Sequence, residues 1–320
     1  MDNFFQFVTG IRKIWNKPPY KIIYLDALNG GPLGSGLDPQ HAVSTLAAAV
    51  ALTTTKKNDT IIIVGNSATT ATVRLSAATT ITRDALTIKG INSGSQFSPR
   101  ARIAPTAAVT GFANFLTLTG SGNRFENITI LQDFDTDVDN EIALTVVGHY
   151  NVFKNCHIGG IAKAADAGGR CLKIQGSENL FEDCVIGLDT IARSAANATI
   201  QLVSVSTNVG SARNIFRRCI FPFNASGTAP LLLLTTGTSA IDRVTLFEDC
   251  LFTNSGGAVS TIAGLCTMAA GAGGYVVFKN PMIVGPITGF GTDATTRLQI
   301  QINGVASGST TTGIGYAPSA

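Results

Sequence analysis

Six short segments share one apolar spacing, each built around a phenylalanine: NRFENITI (123–130), NVFKNCHI (151–158), NLFEDCVI (179–186), NIFRRCIF (214–221), TLFEDCLF (245–252) and VVFKNPMI (276–283). Their phenylalanines are Phe125, Phe153, Phe181, Phe216, Phe247 and Phe278, at intervals of 28, 28, 35, 31 and 31 residues. A period in this range marks a repeat architecture. The uneven interval decides which kind. Helical repeats keep a near-fixed length, whereas a coil of strands absorbs insertions in one loop, so the pattern predicts a β-solenoid.

Within each unit an apolar residue follows the phenylalanine by three positions and another follows by two more. One alternating strand cannot supply that order. Two short strands joined by a bend can, with the bend at pairs such as Glu126-Asn127 and Lys154-Asn155. The second bend residue is Asn127, Asn155, Asp183, Arg218, Asp249 or Asn280. Asn and Asp are the non-glycine residues that best tolerate the left-handed backbone of a sharp turn. A third strand precedes each unit, read from the apolar-polar-apolar triplets LTL (116–118), LTV (144–146) and LKI (172–174). Each coil therefore holds three strands, two tight corners and one long variable loop.

This pattern resembles the pectate-lyase-like superfamily of right-handed parallel β-helices, in which a bend asparagine stacks from coil to coil. The resemblance spans roughly residues 25–305. It implies an all-β fold entered through an N-terminal capping helix at 41–52, within HAVSTLAAAVALTTTKKNDTIIIVGN (41–66), with LTIKGIN (86–92) as a strand of the second coil. The expected organisation is a docking segment over 1–20, the β-helix over 21–302 and an extended Gly/Ser/Thr-rich tail over 303–320. The superfamily includes lyases, hydrolases and viral tailspikes, so the resemblance speaks to fold before activity.

Composition narrows the partners. Hydrophobic residues make up 45% and charged residues 13%, so solubility rests on Ser, Thr and Asn. A net charge of +3 is too small and too dispersed for a nucleic-acid partner. The opening MDNFFQFVTGIRKIWNK lacks the apolar run and cleavage site of a signal peptide, and no stretch has membrane-spanning length, so neither export nor a membrane is expected. Cys156, Cys184, Cys219 and Cys250 occupy one inward site on four successive coils, which reads as a column of small buried hydrophobes ahead of disulfides or a metal site.

Candidate chemistry is sparse. The paired aspartates, Gly-His-Gly and Arg-x-Lys elements of the superfamily's hydrolases have no match beyond Gly148-His149-Tyr150. His41, His149 and His157 are scattered, with His157 expected to point outward. The segment LQDFDTDVDNE (131–141) sets Asp133, Asp135, Asp137 and Asp139 at alternate positions of one long loop, followed by Glu141. Crowded carboxylates are relieved by a hard cation, which makes these aspartates a candidate Ca²⁺ site, although a solvated loop is the first reading. The offsets Asp166/Arg170 and Asp189/Arg193 read as surface ion pairs. No other cofactor is implied.

At the N-terminus Phe4, Phe7, Val8, Ile11, Ile14 and Trp15 fall at helical spacing, ahead of Pro18-Pro19. This stripe must dock, either on the side wall of the β-helix or on a partner. Taken together, these features lead to the expectation of a non-enzymatic structural protein of a bacteriophage particle, a capsid decoration, cement or appendage subunit. It would form a homotrimer, contact the major capsid protein, assemble in the host cytoplasm and reside in the virion. The alternative is a tailspike-like binder or depolymerase of a cell-surface glycan, and after it a free polysaccharide lyase or glycoside hydrolase.

Overall fold

The computed structural model describes residues 21–307, apart from 67–68, 92–96, 107–113, 133–141, 162–167, 194–196, 205–209, 226–230, 237–238, 257–263, 270–272, 288, 294–296 and 303–304. Its strands form three sheets, one of 11 strands (sheet A) and two of 8 (sheets B and C). One coil shows the plan. Leu116–Leu118 lies in sheet C, Arg124–Glu126 in sheet A and Ile128–Leu131 in sheet B, and the chain then returns to sheet C for Ile142–Val146. Successive coils pair in parallel, as a β-helix requires.

The expected stacking of phenylalanines is present. Phe153 lies in register with Phe125 on one side and Phe181 on the other, and the column continues through Phe216, Phe247 and Phe278. Neighbouring rings are parallel within 15°, with centroids 4.7 to 5.0 Å apart. All six are buried at the centre of the molecule. The ring spacing is the spacing between hydrogen-bonded strands, so each ring adds apolar burial and an aromatic contact at no cost to the ladder.

The bend between sheets A and B is left-handed at every unit: φ is 54° at Asn127, 49° at Asn155, 55° at Asp183, 51° at Arg218, 54° at Asp249 and 49° at Asn280. The Asn155 side chain donates to Asn127 Oδ1 at 2.7 Å, and Asn280 donates to Asp249 Oδ1 at 3.1 Å. A second asparagine ladder lies inside the opposite corner, between sheets C and A. There the Asn123, Asn151 and Asn179 backbone N–H groups donate to Oδ1 of Asn151, Asn179 and Asn214 on the next coil, at 2.8, 3.0 and 3.0 Å. All four are buried. The sequence reading had assigned the asparagine stack to the bend alone.

The cysteine column is also as expected for small buried groups. Cys156, Cys184, Cys219 and Cys250 are free and buried, and each thiol donates to the carbonyl of the preceding coil's phenylalanine at 3.3 to 3.4 Å.

At the entrance, the strand Ile22–Leu25 precedes the helical part and pairs with Thr60–Val64. The sequence reading had not assigned that first strand. The expected helix over 41–52 is shorter, at Leu46–Leu52. Thr45 caps it by accepting from the Ala48 N–H, while a separate 3-10 turn, Pro39–His41, is capped by Asp38. Leu46 and Ala49 are buried. At the far end Leu298–Ile302 pairs antiparallel with Val305–Ser307. The candidate docking stripe from Phe4 to Trp15 lies outside the described residues, as does the chain beyond 307.

Two substitutions test this account of the core. Phe181→Ala, which opens a hole in mid-column, is expected to cost about 3–5 kcal/mol in denaturant unfolding. Asn179→Ala leaves the buried Asn151 N–H without its acceptor and is expected to cost about 1–3 kcal/mol.

Candidate functional site

With the interior filled by side chains, chemistry has to sit on the outer faces of the sheets or in the loops. On sheet A the outward residue after each phenylalanine, and after Ile88 one coil earlier, is charged, and the sign alternates along the register: Lys89, Glu126, Lys154, Glu182, Arg217, Glu248, Lys279. Lys154 reaches Glu182 at 3.3 Å, Arg217 reaches Glu248 at 2.7 Å, and Lys279 reaches Glu248 at 2.6 Å. The Lys279 ammonium and the Arg217 guanidinium hold the Glu248 carboxyl below the usual range. These cations are committed to neighbours, which makes the face a structural ladder.

Sheet C is different. Its central outward row runs Thr80, Thr117, Thr145, Lys173, Gln201, Leu234, Thr267. Every polar side chain in it is neutral except Lys173, which is half-buried at the middle of the row. Thr145 donates to Asn114 Oδ1 at 2.8 Å and Gln201 Nε2 donates to Thr236 Oγ1 at 3.5 Å. Lys173 makes no ion pair among the described residues. The row is therefore made mostly of hydroxyl and amide groups, interrupted by Leu234 and with Thr145 buried, and it carries one cation, Lys173. Lys173 was legible only as the polar member of LKI, where the two preceding coils place threonine.

The candidate Ca²⁺ residues Asp133, Asp135, Asp137 and Asp139 lie outside the described residues. Their segment leads directly into Ile142–Val146, whose Thr145 neighbours Lys173 in the row. Among the described residues no cluster of three or more His, Cys, Asp or Glu side chains could hold a metal ion.

The three histidines stay apart. The exposed His41 pairs through Nδ1 with Asp38 at 2.9 Å. His149 Nδ1 accepts from the Ser177 N–H at 3.0 Å, so its ring continues a corner ladder in which the Ser121 hydroxyl accepts from the His149 N–H. His157 points out of the barrel as expected. It is nevertheless largely shielded, with Nε2 donating to the Gly187 carbonyl at 3.0 Å. Burial holds its imidazole below the ordinary value, although that carbonyl and Asp189 partly oppose the shift.

The expected surface position of Arg170 and Arg193 is corrected by the structure, and so is the pairing of Arg193 with Asp189, whereas the pairing of Arg170 with Asp166 falls on a residue outside the described ones. Both arginines are buried, at 4% exposure. Arg193 turns away from Asp189 and donates to backbone carbonyls, and Asp166 lies outside the described residues. An i,i+4 offset brings side chains together on a helix, and residues 189–193 are not helical.

No family model matches the chain, and no curated protein does. Among solved structures, the chain is similar to pectate lyase Pel9A, with a TM-score of 0.54 and 12% identity over 90% of this chain and 79% of that one. It is also similar to the pectin methylesterase PemA from Erwinia chrysanthemi, with a TM-score of 0.50 and 16% identity over 92% of each chain. The pectate-lyase-like parallel β-helix is the fold of this chain. At such identities the likeness shows the fold alone. The expected non-enzymatic role in a bacteriophage particle is corrected: the two solved structures named above that share the fold are polysaccharide-modifying enzymes, and neither is a particle protein. The virion, capsid and trimer expectations attached to it have no support in them.

Two measurements follow. In the native protein the six cysteines are expected to resist alkylation, since all are buried and the thiols of Cys156, Cys184, Cys219 and Cys266 are pushed well up by burial. All six should react on unfolding. The depressed His157 means that the unfolded chain takes up that proton more readily than the folded one. Its contribution is therefore intact above pH 6.5, the ordinary histidine value, and declines as pH falls below it. His157→Gln is expected to remove that part of the stability–pH profile.

Proposed function

We propose that this chain binds an acidic polysaccharide along the outer face of sheet C, with Lys173 contacting a carboxylate of the polymer. The observation that carries the reading is the row itself. An ammonium that makes no ion pair among the described residues is centred on a row made mostly of hydroxyl and amide side chains, while the cations of sheet A are neutralised by neighbouring carboxylates. A linear, hydroxylated, anionic chain matches that row in shape and in sign. Threonine and glutamine offer donors and acceptors for sugar hydroxyls, and a lysine offers three donors as a point charge.

The fold neighbours add support, since the pectate lyase and pectin methylesterase named above are enzymes of an acidic polysaccharide. The row from Thr80 to Thr267 contains no carboxylate pair, so hydrolysis by two carboxyl groups has no machinery within it. β-Elimination, assisted by a base and a cation, is the reaction to test. Lys173 is the amine of the row, and Asp133, Asp135, Asp137 and Asp139 are the residues that would hold Ca²⁺.

The decisive experiment is affinity electrophoresis through gels containing polygalacturonate, alginate or a neutral glucan. Retardation is expected in the acidic gels and should weaken with salt. Lys173→Ala is expected to lower affinity about tenfold with folding unchanged. Equal mobility in all gels, or undiminished retardation of the variant, overturns the reading. Ultraviolet absorbance of unsaturated ends, with and without Ca²⁺, then separates binding from elimination.

A further inference from the structure

The strand Ile22–Leu25 opens sheet A, and the loop after it, residues 26–38, folds back against the same end of the β-helix. The loop backbone is tied down along its length. The Asp26 carboxylate accepts from the Leu28 and Asn29 N–H groups at 2.9 and 3.0 Å. Gly31 donates to the Ala42 carbonyl at 2.9 Å, and Gly36 donates to the His41 carbonyl at 2.8 Å while accepting from the Tyr24 N–H at 2.7 Å. Gly36, at φ 70°, faces the interior: a Cβ there would lie 2.9 Å from Leu52 Cδ1 and 3.0 Å from Ile23 Cγ2. The inner side of the loop thus rests on the end of the core.

Its outer side is apolar. Leu33 is 96% exposed, Leu37 62% and Leu28 45%. One exposed leucine is ordinary on a protein surface. Three carried outward by one hydrogen-bonded loop make a surface fitted for docking.

The chain entering at this end supplies the occupant. The Lys21 N–H donates to Oδ1 of the buried Asp59 at 3.0 Å, and Lys21 Nζ donates to the Leu52 carbonyl at 3.3 Å. Leu52 is also the residue that Gly36 faces, so residues 1–20 join the described chain beside the leucine loop. Their sequence carries the helically spaced Phe4, Phe7, Val8, Ile11, Ile14 and Trp15, a stripe in need of an apolar surface. From Trp15 to Lys21 the chain can span at most about 20 Å. So short a tether gives the stripe a local concentration on the order of millimolar, which favours it over a second copy of the chain.

We propose that residues 3–16 dock on the loop 26–38, laying their apolar stripe against Leu28, Leu33 and Leu37. The docked segment closes the entrance of the solenoid with a second layer, and the loop is the surface on which that layer is built.

Trp15 is the only tryptophan, so its fluorescence reports docking in the full-length protein. In the wild-type protein its emission is expected to be blue-shifted and shielded from acrylamide. The double variant Leu33→Asp, Leu37→Asp sets carboxylates into the docking surface at exposed positions, and circular dichroism checks that its fold is kept. Its emission is expected to shift to the red, with trypsin cleavage after Arg12 and Lys13 faster by about tenfold or more. Met282→Asp, at a residue 62% exposed on the last strand of sheet B, is expected to behave as the wild type. If the double variant does not fold, Leu33→Ser alone is read in the same way. Wild-type emission typical of solvated indole overturns the proposal, and so does a loop variant that keeps the wild-type emission. A blue-shifted emission lost on dilution assigns the stripe to a second copy and also overturns it, as does a shift of equal size in Met282→Asp.

Discussion

The structure depends on one constraint: successive coils are joined strand to strand in parallel, so each residue sits directly above its counterpart one coil earlier. Every favourable or unfavourable side-chain contact is thereby repeated along the axis. Phenylalanine over phenylalanine gives stacked rings at 4.7 to 5.0 Å. Asparagine over asparagine gives a chain of bonds that satisfies corner N–H groups no strand could reach. Cysteine over cysteine gives thiols that each meet a carbonyl of the coil before. Similar residues recur in the sequence because their neighbours in space are the same residues one coil away.

That repetition made the fold legible. The phenylalanine column and the left-handed bend at Asn127, Asn155, Asp183, Arg218, Asp249 and Asn280 both follow from short-range apolar spacing and from the φ preferences of Asn and Asp. The buried ladder of Asn123, Asn151, Asn179 and Asn214 was equally present, two residues before each of the first four phenylalanines. It went unread because an asparagine beside a strand looks like a solvent-facing turn residue. Only the closed geometry of the corner shows that it points inward.

The candidate site was far less legible, and the reason is physical. On sheet C the outward row is set by register across seven strands, whose loops differ in length. No sequence spacing therefore ties Thr80 to Thr267 or singles out Lys173. Buried arginines mislead in the same way. An acid four residues ahead of Arg193 suggests a surface pair, yet the loop folds the guanidinium under neighbouring carbonyls and the Phe223 ring. Position in a loop is a tertiary property, and local patterning does not encode it.

The alternating ladder on sheet A bears on how such a chain can change in length. Its signs run plus, minus, plus from Lys89 through Glu126 and Lys154 to Lys279 without a break. Excising the coil that carries Glu182 would bring Lys154 beside Arg217, and duplicating it would set two glutamates edge to edge. Either event is penalised by like-charge contact on adjacent strands. Growth or shrinkage of this solenoid by two coils at a time escapes that penalty, so the surface charges act as a parity rule on its evolution.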